Sequence, residues 1–139
     1  MDLSNPEYGP VSTRTYGFDG VGKGWHHILE ALNLVMIKAA VRAQHGATLR
    51  VVQVKEKFGG LRVYWEREGF DEGSKMMLVG AVTLAENLSR YTCEVCGVTA
   101  GVKNRPMDGR EMSRTLTLCP EHHRERDETG TLKTGESQV

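Results

Sequence analysis

The chain carries no excess of either charge: 18 basic residues stand against 18 acidic ones, for a formal net charge of zero over 139 residues. A bulk electrostatic pull toward nucleic acid or a membrane surface is thereby excluded, and recognition of an anion would have to come from local clustering. Long apolar runs are missing as well. No stretch approaches the roughly 20 apolar residues of a membrane span, and no charged start followed by an apolar run opens the chain. The expectation is a soluble, cytoplasmic protein with no membrane partner. Cysteine is scarce, at three residues. Three cannot pair completely among themselves, so a disulfide framework is not expected and a reducing compartment is. No internal repeat or low-complexity tract is present. The length suits one main core with at most a small appended module.

Periodicity divides the chain into four regions. Residues 1–16, "MDLSNPEYGPVSTRTY", are polar, hold two prolines and show no period, which predicts an irregular arm pinned by Tyr8 and Tyr16. Residues 17–92 read as an α+β core. In it Trp25, Ile28, Leu29, Leu32, Met36, Ala39, Ala40 and Ala43 recur at steps of three and four, predicting a helix over 25–45 with Gly46 as its stop. Alternation with β-branched and aromatic residues predicts strands over 49–57 and 61–67 around Gly59-Gly60. A second helical pattern follows, with Met77, Leu78, Ala81, Leu84, Ala85, Leu88 and Tyr91 on one side and Asp71 or Ser74 as its cap. Residues 93–123 form a cysteine- and histidine-bearing module resembling a zinc ribbon. Residues 124–139 are polar and poor in apolar side chains, which predicts a flexible tail. The fold class is therefore α+β, ordered helix, β-hairpin, helix and small metal module.

The metal signal is the most specific one. "CEVC" supplies Cys93 and Cys96, and "CPEH" supplies Cys119 and His122, each pair enclosing two residues. Such pairs chelate one tetrahedral zinc from two tight turns, and Gly97 directly after Cys96 suits the backbone reversal. Three thiolates and one imidazole close the shell, so a structural zinc is expected rather than a catalytic one. His123 is the alternative fourth ligand. A nuclease of the His-Asn-His class can also sit between two metal knuckles, but the intervening segment offers Asn104 and Asp108 and no histidine to serve as base.

Two further segments bear on ligand binding. "DGVGKGWHH" has the glycines, the lysine and the helix start of a phosphate cradle, yet no strand pattern precedes it and Lys23 is followed by Gly24 rather than a hydroxyl residue. It reads as a mobile connector, with Lys23 and His26 as candidate ligand contacts and His27 beside them. In "QVKEKFGGLRVYW" a turn at Gly59-Gly60 would oppose Phe58 with Leu61, Lys57 with Arg62, Glu56 with Val63, Lys55 with Tyr64 and Val54 with Trp65. Val52, Val54, Phe58, Leu61, Val63 and Trp65 would then face the core. Gln53, Lys55, Lys57, Arg62 and Tyr64 would share the other face. Like charges set opposite each other repel, and a phosphate or carboxylate would relieve them.

Together "GWHHILEAL", "VVQVKEKFGGLRVYW", "AENLSRYTCEVCG" and "LCPEHH" resemble a family of small bacterial and phage-encoded proteins with a "GW" helix, a "KEKFGGLRFY"-like hairpin and a terminal zinc knuckle pair. The likeness covers about residues 17–125, with Val63 where an aromatic is expected. The family carries over no catalytic residue. The resemblance implies a phage setting, in which interference with host defence, by holding a nucleotide immune signal or a host protein, is the implied role. The sequence-based expectation is thus a non-enzymatic binding protein for an anionic nucleotide or nucleic acid, held by Lys55, Lys57, Arg62 and Tyr64 with Lys23 and His26. An adaptor acting on a host protein and a metal-module hydrolase using His26 and His27 are the alternatives. Self-association as a homo-oligomer is compatible with each.

Overall fold

A computed structural model describes residues 11–12, 20–43, 47–106 and 115–129. The order is β1 (Val11–Ser12), a 3-10 turn (Lys23–Trp25), α1 (His26–Arg42), β2 (Thr48–Lys57), β3 (Gly60–Glu68), α2 (Glu72–Ser89), β4 (Lys103–Pro106), β5 (Thr115–Leu118) and α3 (Pro120–Thr129). The architecture is α+β, with a three-stranded sheet β1-β2-β3 and a separate two-stranded sheet β4-β5. Among the described residues no helix is long and apolar enough to cross a membrane.

α1 forms where its 3.6-residue period predicts, and its buried residues Ile28, Leu29, Leu32, Met36 and Ala39 follow that period. Trp25 precedes it, fully buried, with its indole N–H donating to the Thr92 carbonyl at 2.9 Å. A buried indole needs such a partner, and this one ties the start of α1 to the end of α2. Gly46 lies outside the described residues.

The hairpin differs from expectation by one residue. Its turn is Phe58-Gly59, both with positive φ (53° and 77°), so Lys57 faces Gly60, Glu56 faces Leu61, Lys55 faces Arg62 and Val54 faces Val63. Two forces select this register over a Gly59-Gly60 turn. It sets two β-branched residues opposite each other in the core, and it moves Glu56 to the tip, where its carboxylate accepts the Gly59 N–H at 2.7 Å. The consequence is an exposed Phe58 in a left-handed conformation that bulky residues rarely adopt. A shift between Val51 and Gln53 absorbs the extra residue, so Leu49, Val51 and Val54 all face inward while Val52 is only half-buried. Trp65 is half-buried too, with the Arg67 guanidinium 4.7 Å over its ring.

α2 is rotated so that Leu78 and Ala85, at one edge of the face its apolar periodicity selects, are buried while most of that face is not. Leu78, Val82, Ala85 and Ser89 point inward, whereas Met77, Leu84, Leu88 and Tyr91 are exposed. The reason lies on the edge of β3. Leu61 N–H donates to Ser89 Oγ at 2.8 Å and Val63 N–H donates to Glu86 Oε2 at 2.9 Å, so α2 turns its polar side chains to an edge that would otherwise stay unpaired.

Asp71 is the cap, its Oδ1 accepting from Ser74 N–H at 2.7 Å. The Ser74 backbone N–H holds the Asp71 carboxyl below its ordinary value of 3.8, outweighing what little burial does to raise it. A group with a depressed folded pKa stabilises above its unfolded value and loses that contribution as the pH falls through the folded one. Asp71→Ala should therefore lower the melting temperature at neutral pH. An NMR titration of the Asp71 carboxyl should have its midpoint below 3.8; a midpoint at or above it would mean that the cap is not formed.

β1 and the end of α3 revise two boundaries. Val11–Ser12 pairs parallel with Leu49 and Arg50, so part of the arm is strand. α3 runs to Thr129, past the start of the expected tail. The remaining tail, from residue 130 on, lies outside the described residues.

Candidate functional site

The four candidate metal ligands arrive from two directions. Cys93 follows the last turn of α2, and Gly97 N–H closes a tight turn by donating to Cys93 C=O at 2.9 Å with a φ of 82°. Cys119 directly follows β5, and Pro120 opens α3, where its missing N–H is no loss. This puts His122 in the first turn of α3 on the same side as Cys119.

The ligand atoms of Cys93, Cys96, Cys119 and His122 all lie within 4.8 Å of one another. Cys96 Sγ is 3.8 Å from Cys119 Sγ, and His122 Nδ1 is 3.2 Å from Cys119 Sγ and 3.6 Å from Cys93 Sγ. Tetrahedral zinc with Zn–S bonds of about 2.3 Å requires sulfur–sulfur edges of about 3.8 Å. The donor set and spacing therefore fit zinc, and the four residues could hold such an ion. Without a cation, burial pushes the Cys93 thiol up to about 11. Burial also raises Cys119, but hydrogen bonds from the His122 backbone and side chain bring it below its ordinary value. A divalent cation at the centre would favour the thiolate at both.

His123 is held elsewhere. Arg105 Nε–H donates to its Nδ1 at 3.0 Å, which leaves the proton on Nε2 to bond the Lys103 carbonyl at 2.9 Å. Both ring nitrogens are thus engaged, and His122 is the fourth member of the cluster.

Around this cluster the packing is specific. Leu116, Leu118, Val95 and Val102 enclose Cys93 and Cys119 in a second small core. Glu94, buried inside the first knuckle, joins three segments: its N–H donates to Thr117 C=O at 3.0 Å, its carboxylate accepts Thr117 N–H at 2.9 Å, and its carbonyl accepts Gly24 N–H at 2.9 Å. The hairpin tip is held from the same side, since Gly59 C=O accepts from Thr117 Oγ1 at 2.5 Å. Asn104 donates to Thr117 Oγ1 at 2.6 Å, so the one asparagine of the intervening segment supports the tip; Asp108 lies outside the described residues.

The described part of the glycine loop, from Gly20 on, packs closely against the rest of the fold. A Cβ on Gly20 would overlap the Val54 carbonyl oxygen, and one on Gly22 would overlap that of Glu94. Of the candidate ligand contacts here, Lys23 is exposed on the 3-10 turn and the His26 ring lies 3.4 Å from Val21 C=O. His27 is exposed, with its ring edge beside Gly97.

The sheet cations do gather. Lys55 and Arg62 face each other, both half-buried, with Lys57 two residues nearer the turn on the same face. Lys55 Nζ lies 5.3 Å over the Tyr64 ring and Lys57 Nζ lies 5.7 Å over the Phe58 ring. At the other end of this face Arg50 pairs with Glu66 at 2.6 Å, so charge is balanced there and positive near the turn. Sequence reading missed Arg90, whose guanidinium carbon lies 3.2 Å from where a Gly60 Cβ would stand. Its position beyond α2 gave no local signal, because only the tertiary fold brings it to the hairpin. Glu94 was missed for the same reason. Comparison of the chain with models of protein families, with curated proteins and with solved structures finds no match.

Proposed function

We propose that this is a zinc-stabilised binding domain, without chemistry of its own, that takes an anionic nucleotide or nucleic acid on the outer face of its hairpin. The observation that carries this reading is the cross-strand pair Lys55–Arg62, two half-buried cations with Lys57 beside them and no carboxylate paired to any of the three among the described residues. Like charges so placed repel, and a phosphate between them would turn that repulsion into charge-assisted hydrogen bonds. Arg62 offers a planar fork for phosphate, and half-exposed Tyr64 offers a flat surface for a base. Zinc at Cys93, Cys96, Cys119 and His122 would fix the Thr117 hydroxyl that holds the hairpin tip, and so the spacing of the cations. Lys23 and His26 are not included, because the loop that carries them packs on Val54 and on the knuckle. Holding a nucleotide signal in a phage setting, as the sequence resemblance implies, is one form this binding would take.

Binding of mononucleotides, cyclic dinucleotides and a labelled single-stranded oligonucleotide should be measured at two salt concentrations. Wild-type protein should bind at least one of these anions, more weakly as salt rises. Lys55→Glu/Arg62→Glu should bind about 100-fold more weakly or worse, each of the two lost charged hydrogen bonds being worth roughly tenfold. No binding by wild type, or equal binding by the double variant with its zinc content unchanged, would refute the proposal.

A further inference from the structure

The two glycines of the hairpin serve different ends. Gly59 has a φ of 77°, a left-handed conformation that favours glycine, whereas Gly60 lies in β3 without a positive φ. At Gly60 the place of a side chain is taken by Arg90. A Cβ there would lie 3.2 Å from Cζ and Nη2 of the guanidinium and 3.4 Å from Nε, so the planar group lies flat over the strand. Gly60 faces Lys57 across the ladder, and its absent side chain would point to the side that carries Lys55 and Arg62. Arg90 therefore joins these cations on the outer face of the hairpin.

The docking of α2 brings it there. Ser89 Oγ accepts Leu61 N–H at 2.8 Å, which fixes the end of the helix on the edge of β3 and carries the adjoining Arg90 to Gly60. Arg90 is half-buried, and among the described residues no carboxylate pairs with it. Glu86, one turn earlier, is engaged with Val63 N–H at 2.9 Å. Arg62 leans to the same edge, its Nη1 donating to the Leu61 carbonyl at 3.4 Å. Alternate residues of a strand stand about 7 Å apart. Two arginines thus stand in a row, with Lys57 facing Gly60 and Lys55 facing Arg62.

We propose that this row of cations takes the phosphate chain of a nucleoside di- or triphosphate, with Arg90 holding the phosphates beyond the first. The assignment rests on the outer-face binding proposed above and fixes its ligand class. With the base against Tyr64, the first phosphate meets Lys55 and Arg62, and the later ones meet Arg90 and Lys57. Guanidinium forks suit this task, since each offers paired N–H groups to phosphate oxygens. The positive strip is also short. Exposed Phe58 ends it at the turn, and the Arg50–Glu66 ion pair ends it beyond Tyr64. A nucleic-acid backbone spreads its charge along its length and would run past both ends, whereas a di- or triphosphate concentrates charge on adjacent groups, as two neighbouring rungs of cations require.

Titration calorimetry of the zinc-loaded full chain with adenosine mono-, di- and triphosphate, a cyclic dinucleotide and a single-stranded oligonucleotide provides the test. Stacking on an aromatic ring tolerates any base, so adenosine serves as the probe. Wild type should bind the triphosphate about tenfold or more tightly than the monophosphate, a charged hydrogen bond to Arg90 being worth roughly that factor. Arg90→Ala should lose most of that ratio. Gly60→Val should lose it too, because the valine displaces the guanidinium without changing the charge. Both variants should keep the zinc content and melting temperature of wild type, since Gly60 needs no positive φ and the Arg90 guanidinium holds no ion pair among the described residues. Equal affinity for mono- and triphosphate, tighter binding of the oligonucleotide, or a triphosphate preference that survives in both variants would overturn this assignment and leave outer-face binding standing. A wild type that binds no adenosine phosphate overturns it as well, and outer-face binding falls with it only if the cyclic dinucleotide and the oligonucleotide also fail to bind.

Discussion

Cys96→Ser is expected to abolish stoichiometric zinc binding and to unfold the segment from the end of α2 through α3. Cys96 is the informative ligand because it is exposed while Cys93 and Cys119 are buried. Replacing an exposed thiol by a hydroxyl removes almost no packing, so a protein whose cysteines were merely free thiols would be insensitive to it. A zinc shell that loses one thiolate is a different matter, since apparent binding energies of about 10–16 kcal/mol are folding energy in such modules. The damage should also spread. Thr117 stays in place through two hydrogen bonds with Glu94, and Thr117 in turn holds Gly59 at the hairpin tip. Wild type should contain one zinc per chain by elemental analysis and lose ellipticity on treatment with a strong chelator. Cys96→Ser should contain little zinc and melt well below wild type. A metal-free wild type that melts together with Cys96→Ser would sink the structural-zinc reading.

What sequence could and could not reveal follows from the range of the forces involved. α1 was legible because its apolar face is buried on the side its own period defines. The Asp71 cap was legible because capping acts within three residues, and the four clustered ligands because two chelating turns each need only local spacing. The hairpin register was not, although its first sign lies in "RVVQV". Leu49, Val51 and Val54 can share one face only if an extra residue is absorbed between them, and a doublet of valines is a weak statement of that. The decisive contact, Glu56 on Gly59 N–H, appears only once the turn is made. For α2 the more apolar face was only in part the core face, with Leu78 and Ala85 buried and Leu84 and Leu88 exposed, because the edge of β3 takes its acceptors from Glu86 and Ser89. The choice between His122 and His123 depended on Arg105 and Lys103, some twenty residues away in sequence and adjacent only in the fold.

Gly24→Ala should be among the most destabilising single-methyl changes in the protein. Where backbone geometry permits, replacing glycine by alanine stabilises by about 0.4–1 kcal/mol through the unfolded chain. At Gly24 the sign should reverse, because the new Cβ would overlap the Cys93 carbonyl oxygen and lie 2.7 Å from both Glu94 C and Gly97 N. All three atoms are backbone of the Cys93–Gly97 turn and cannot rotate away. Neither can the loop retreat, since Gly24 N–H is bonded to Glu94 C=O at 2.9 Å and fully buried Trp25 follows directly. A penalty of about 3 kcal/mol or more is expected, in the range of severe core defects, with a melting temperature lower by roughly 10 °C or more. Gly80→Ala is the matched control. Its Cβ would meet nothing within 4 Å, so it should stabilise by about 1 kcal/mol. The pair also separates two readings of "DGVGKGW". If the glycines form a ligand cradle, Gly24→Ala should weaken nucleotide binding and leave zinc affinity and melting unchanged. If they are the surface on which the knuckle docks, zinc affinity and melting should fall together. The overlap of Gly20 with Val54, of Gly22 with Glu94 and of Gly24 with Cys93 places all three glycines against main chain, which only the docking reading requires.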